Sequence, residues 1–218
     1  MPSSHSAQKS FCRPILLAAL VALAFASMPA GAAESPWQAL DQLRAAFART
    51  GPQTARFTQT FLPAGFEDGE TEAGTLAISL PDCLRWDYGE PFPKTFLLCQ
   101  ETVYYWNPGE VRGHRYPVQN EEAPGLDFFL LTTDDLRLRY NATAERIADG
   151  LHVHLAPIRP TDDVVSLEVL LDVAGERVLR LAYEDAEGNN TRFELTDYRP
   201  GVEPGIFEPP AGVEWEEP

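Results

Sequence analysis

The chain predicts an α+β fold: one large, strongly curved antiparallel sheet or barrel of about ten or eleven short strands, with helices against one face. Three observations carry this. Beyond the first fifty residues, apolar positions recur with period two in most segments. Short turn signals such as Asp149-Gly150, Ala174-Gly175 and Glu187-Gly188-Asn189 separate those segments, as hairpins require. Two segments, Trp37–Arg49 and Ala123–Leu131, are apolar with a different pattern.

The first element is an export signal. Lys9 and Arg13 precede an apolar run, Ile15–Ala26, and Ala30-Gly31-Ala32 offers a small-x-small cleavage site. A bilayer span takes about 20 apolar residues, so this run reads as a cleaved signal over residues 1–32. One domain of residues 33–218 then remains, beginning near Ala33. Cys12 precedes the apolar run and is not placed as a lipidated cysteine would be.

A helix follows. Ser35 suits its N-cap, Pro36 its first position, and Gln38 the third position of a capping box. Trp37, Leu40, Leu43 and Phe47 recur at helical spacing, with Gln38, Asp41, Gln42 and Arg44 on the other side. Gly51 and Pro52 end it. Period-two segments come next: Ala55, Phe57, Gln59 and Phe61; Leu76, Ile78 and Leu80; Leu84, Trp86 and Tyr88. Further strands are expected at Lys94–Cys99, Thr102–Asn107, Leu138–Ile147, Leu151–Ile158, Val164–Val173, Val178–Glu184 and Thr191–Tyr198. Ala123–Leu131 is apolar nearly all round, which suits a short helix buried against the sheet.

The cysteines fit one hairpin. If Cys83–Tyr88 and Lys94–Cys99 are its arms, the register that pairs Tyr88 with Lys94 also pairs Trp86 with Phe96, Leu84 with Leu98 and Cys83 with Cys99. Directly opposed cysteines lie within bonding distance, and exported compartments oxidise them, so a Cys83–Cys99 disulfide is expected. The four histidines supply no zinc-site spacing around these thiols, so neither a metal nor a cofactor is expected.

Charge limits the partners. The net charge of −16 becomes −18 once Lys9 and Arg13 are removed, because residues 1–32 hold no acid. That balance excludes nucleic acid, which needs a basic surface.

Several runs occur in a characteristic order. Phe57-Thr58-Gln59 is followed by Gly74-Thr75-Leu76-Ala77-Ile78, Pro81, Leu84-Arg85-Trp86-Asp87-Tyr88 and Pro91. Val103-Tyr104-Tyr105-Trp106-Asn107-Pro108 comes next, and Phe207-Glu208-Pro209-Pro210-Ala211-Gly212-Val213 closes the set. This order resembles the LolA-type periplasmic outer-membrane lipoprotein carriers from about Trp37 to Val213. The resemblance implies an incomplete antiparallel β-barrel, a half-pipe with a helical lid over its concave apolar face. It implies a periplasmic, monomeric carrier without catalytic chemistry. Its cargo would be acylated lipoproteins, its donor an inner-membrane lipoprotein-releasing transporter, its recipient an outer-membrane lipoprotein acceptor. The groove would then be lined by the apolar parity set Phe57, Phe61, Leu76, Ile78, Leu84, Trp86, Phe96, Leu98, Val103 and Tyr105. Trp37, Leu40, Leu43, Phe47, Phe129 and Leu130 would form the lid. The family usually has a lid-latching basic residue just before the proline matched by Pro81. This chain has Leu80 there, and Arg85 lies on the opposite strand face by parity.

Two other functions are open to the sequence. A secreted hydrolase would need a catalytic constellation, and the chain has no G-x-S-x-G elbow, H-E-x-x-H helix or glycine-rich phosphate loop. His152 and His154 share a strand face, but two ligands make half a metal site. A divergent carrier, or a sensor of another lipid, on a similar half-barrel is the remaining alternative.

Overall fold

Helix α1 (Pro36–Thr50) leads into six strands: β1 (Gln53–Leu62), β2 (Glu70–Ser79), β3 (Cys83–Tyr88), β4 (Lys94–Cys99), β5 (Thr102–Trp106) and β6 (Arg112–Pro117). Two short helices follow, α2 (Asp127–Leu130) and α3 (Thr133–Arg139). Then come β7 (Tyr140–Ile147), β8 (Gly150–Pro157), β9 (Ser166–Leu171), β10 (Val178–Glu184), β11 (Asn190–Pro200) and β12 (Glu214–Glu216). The structure is a computed structural model and describes residues 35–89, 91–117, 127–159 and 164–217. The expected export signal and residues 123–126 of the second apolar segment lie outside these.

The strands form one sheet in the order β12-β6-β5-β4-β3-β2-β1-β11-β10-β9-β8-β7. Two meanders, β1 to β6 and β7 to β11, join where β1 pairs with β11. Strands β7 and β12 are its two edges, so the sheet is an open, incomplete barrel. Among the described residues the expected ten or eleven strands become twelve, and one pair is parallel, β12 on β6. A parallel neighbour needs a crossover. Residues 201–213 supply it along the outer face: Arg85 Nη1 donates to the Ile206 carbonyl at 2.8 Å. Beyond them, Trp215 packs edge-on against Tyr104 and Trp106.

Local chemistry explains the elements. Ser35 caps α1 by accepting from Gln38 N–H at 3.4 Å, and Gly51 ends it at φ 72°, a conformation glycine adopts freely. Thr132 and Asp135 form a reciprocal capping box on α3. That helix corrects the expected strand start at Leu138, which lies in α3 and is 79% exposed.

Period two then decides what is inside. In register, the inward row runs Leu195, Phe57, Gly74, Tyr88, Lys94, with the parallel row Leu76, Trp86, Phe96, Tyr105 beside it. In the second meander Val153, Val169, Leu181 and Phe193 lie on the same face. A Cβ at position 74 would meet Asp87 O at 2.0 Å and the Phe57 ring at 2.9 Å. Glycine there lets the Phe57 and Tyr88 rings meet across β2 at 4.9 Å. One cluster joins both meanders to Leu40, Leu43 and Phe47 of α1, Phe128 and Phe129 of α2, and Leu136 of α3.

The β3–β4 register follows the sequence reading, with Cys83 opposite Cys99, Leu84 opposite Leu98 and Trp86 opposite Phe96. The two sulfurs are bonded at 2.03 Å and close a loop of sequence separation 16. Replacing both cysteines by serine is expected to cost about 3 kcal/mol, through the freed entropy of the unfolded loop. Urea unfolding should show this loss with the fold retained, because the Leu84–Leu98 and Trp86–Phe96 pairs still hold the register.

Candidate functional site

The helices cover much of the sheet's inner face. Leu76, Ile78 and Leu84 have no accessible surface, and Phe57, Trp86, Leu98 and Val103 are also buried. The structure brings Phe57, Leu76, Ile78, Leu84 and Trp86 into one core with Leu40, Leu43, Phe47 and Phe129. Trp37, Phe96 and Leu130 pack against that core half-buried. Leu98, Val103 and Tyr105 continue the floor across β4 and β5, where Leu98 is opposite Val103 and Phe96 opposite Tyr105. Phe61, at the far end of β1, is 38% exposed. Its parity is inward, opposite Glu70 on β2, but among the described residues it is not part of the core cluster.

Aromatic rings run across this floor. Phe193, Phe57, Tyr88, Phe96, Tyr105 and His114 make successive ring contacts, from 4.8 Å for Phe96–Tyr105 to 6.2 Å at either end. Such pairs each add about 0.5–1.5 kcal/mol beyond area burial. Toward β6 the cover thins, since Phe96 and Tyr105 are half-buried and His114 is exposed.

The fastening of the lid was not legible in the sequence. Arg44 of α1 turns its guanidinium onto α2 and the residue after it. Nε donates to the Leu131 carbonyl at 3.1 Å, and Nη2 donates to the Phe128 carbonyl at 2.9 Å and also to Leu131. The same group stands 5.6 Å from the centre of the Phe128 ring. Burial lowers the Arg44 pKa to about 10, with Asp41 and Asp135 opposing the fall, so it stays charged throughout the neutral range. A helix ending with unsatisfied carbonyls is a natural partner for a cation. Arg44 thus ties α1 to α2 although Leu80 stands where the family's usual basic residue would be. The other face of α1 reaches the second meander, through Gln42 to the Ala174 carbonyl at 2.7 Å and Arg49 to Glu176 at 2.8 Å.

Arg85 does lie on the outer face. It pairs with Asp87 at 2.9 Å and lies over the Trp106 ring at 5.3 Å, pinning the crossover. His152 is on the outer face too, 3.5 Å from Glu168. Tyr88 is inside. Burial, then the charge of Glu72, pushes its pKa well above the ordinary phenol range, so it acts as a neutral donor.

An open, mostly antiparallel sheet whose apolar inner face packs against helices defines a lidded half-barrel. Residues 51–209 match the family described as "Outer membrane lipoprotein carrier protein LolA", and the chain belongs to that family. An outer-membrane lipoprotein carrier protein of Bordetella pertussis is 25% identical over 201 residues, 91% of this chain and 93% of that protein. One from Methylococcus capsulatus is 24% identical over 167 residues, 73% and 78% of the two. Among solved structures, an uncharacterized conserved protein from Thermus thermophilus shares the fold with TM-score 0.55 at 10% identity, covering 85% of this chain and all of that one. A LolA superfamily protein from Nitrosomonas europaea gives TM-score 0.47 at 10% identity, over 81% and 99% of the chains.

Proposed function

We propose that this protein is a periplasmic carrier that shelters the acyl chains of lipoproteins under its helical lid and catalyses nothing. Exported by a signal over residues 1–32, it would act as a monomer. It would take lipoproteins from an inner-membrane lipoprotein-releasing transporter and hand them to an outer-membrane lipoprotein acceptor. The observation that carries this reading is the apolar inner face of the sheet packed against α1 and α2, in a chain of the LolA family.

The energetics suit exchange. Each buried methylene is worth about 0.8 kcal/mol, so a long acyl chain in water costs on the order of 10 kcal/mol. The floor is filled by lid side chains such as Leu40, Leu43 and Phe47, each worth about 2 kcal/mol when buried. Cargo therefore replaces one apolar cover with another, and the net free energy of loading is small enough to reverse. Release needs no chemistry, only a recipient that competes.

The test is transfer. Inner-membrane vesicles carrying a labelled triacylated lipoprotein are incubated with the purified protein and then with outer-membrane vesicles. The label is expected in a soluble complex with the protein, then in the outer-membrane fraction. A protein that binds no acylated ligand in this assay overturns the carrier reading.

A further inference from the structure

We propose that Gln59, Glu72, Tyr88 and Lys94 form a subsite for the polar head of the cargo, reading the neutral ester and amide linkages that join acyl chains to a peptide. This rests on the carrier reading above and adds to it a source of selectivity that apolar packing cannot give.

The cluster sets four polar side chains beside the aromatic rings of the floor. Gln59 lies opposite Glu72, and Tyr88 opposite Lys94, on the inward face just beyond the Phe57 and Phe96 rings. This is the end of the sheet where the β1–β2 and β3–β4 hairpins turn. Lys94 Nζ contacts both Glu72 carboxylate oxygens at 2.8 Å and stands 4.6 Å from the centre of the Tyr88 ring. Tyr88 O–H donates to Gln59 Oε1 at 2.5 Å. Lys94 is the only lysine beyond Lys9.

The ion pair adds little stability to the group. Lys94 and Glu72 are 26% and 28% exposed, and a half-buried ion pair returns little net free energy over apolar side chains of similar size. Apolar residues at these places would simply lengthen the floor. Discrimination explains the group. Tyr88 takes up the Gln59 carbonyl and so leaves the Gln59 amide N–H groups as donors. Lys94 keeps further N–H capacity beside them, and Glu72 is an acceptor. Ester carbonyls can accept from Gln59 and Lys94, and an amide N–H can donate to Glu72. Charge favours a neutral head. Glu72 already neutralises Lys94, and Glu70 is on the same face, so a carboxylate or phosphate would meet repulsion.

Two probes decide it: an S-dipalmitoylglyceryl cysteine peptide with its amino group acetylated, and palmitate. Their dissociation constants are measured for the wild type, Gln59→Leu/Glu72→Gln/Lys94→Met and Glu72→Gln, each shown folded by circular dichroism. The wild type is expected to prefer the ester peptide. That preference should fall about tenfold in the triple variant, the scale of losing one hydrogen bond involving a charged group. The triple variant removes both charges together and so adds no repulsion toward palmitate. In Glu72→Gln the unneutralised Lys94 should strengthen palmitate binding. Binding of both probes with a ratio unchanged in the folded variants overturns the subsite alone. A wild type that binds neither probe overturns the carrier reading and the subsite with it.

Discussion

Phe96→Glu is expected to fold and to lose acyl binding by about 100-fold, whereas Leu98→Glu, two residues away, is expected to unfold. The difference is burial. Both side chains point inward, but Leu98 is 2% exposed, while Phe96 is half-buried against Tyr88 and Tyr105. A carboxylate at 98 has no route to water, so burial would raise its pKa by about 3 or more, at about 4 kcal/mol, before lost packing is counted. That is a large share of a typical domain's stability. At 96 the free protein can hydrate the carboxylate, and the penalty falls on the loaded state. An unpaired charge held against hydrocarbon costs about 3 kcal/mol or more, which is about 100-fold in affinity. The sign with pH follows. The carboxyl of the loaded state has its pKa raised by about 2 from an ordinary value of about 4.3, so affinity should begin to recover as pH falls through about 6 and be restored below about 4, where it is neutral in both states. Urea unfolding of both variants and lipopeptide titration of Phe96→Glu at two pH values check this. Wild-type affinity in folded Phe96→Glu would remove β4 from the cargo path.

How much of this was legible depended on how local the cause was. The β3–β4 register could be counted in advance because the loop length and alternation fix it without reference to the rest of the chain. Strand β6 could not, because Arg112-Gly113-His114-Arg115-Tyr116-Pro117 has no apolar alternation. Its Gly113 is buried only because Trp215 and Val213 arrive from the far end of the sequence. Strand β12 is three residues, two of them acids, and exists only as a parallel addition to β6. In α3, Leu136 and Leu138 imitate strand alternation, and the capping box of Thr132 and Asp135 was the better signal. Phe61 shows the limit of parity. Period two says which face a side chain takes, but not how far along that face the core extends. Arg44 shows the same limit for charge. Its place on the polar side of α1 is plain from helical spacing, but its partners are two backbone carbonyls 84 and 87 residues away.

Arg44→Met is expected to hold cargo more tightly and to deliver it more slowly. In the closed state the lid competes with cargo for the floor, so whatever stabilises closure weakens apparent binding. The Arg44 bonds to the Phe128 and Leu131 carbonyls exist only when α1 and α2 lie together. Losing these charge-assisted bonds is worth about 2 kcal/mol net, which shifts the lid toward open by about 30-fold. Apparent lipopeptide affinity should rise by up to that factor, because less of the protein sits closed, and transfer to outer-membrane vesicles should slow accordingly. Arg44→Lys keeps the charge but not the planar fork that reaches both carbonyls, so it should fall between. Neither effect should vary between about pH 6 and 8, since the Arg44 pKa of about 10 leaves the guanidinium charged across that range. Hydrogen exchange supplies the independent readout: amides in α1 and α2 should exchange faster in Arg44→Met, while those in β9 and β10 should not change. Faster exchange with unchanged or weaker cargo affinity would mean that lid opening is not what limits loading, and the competition between lid and cargo would have to be abandoned.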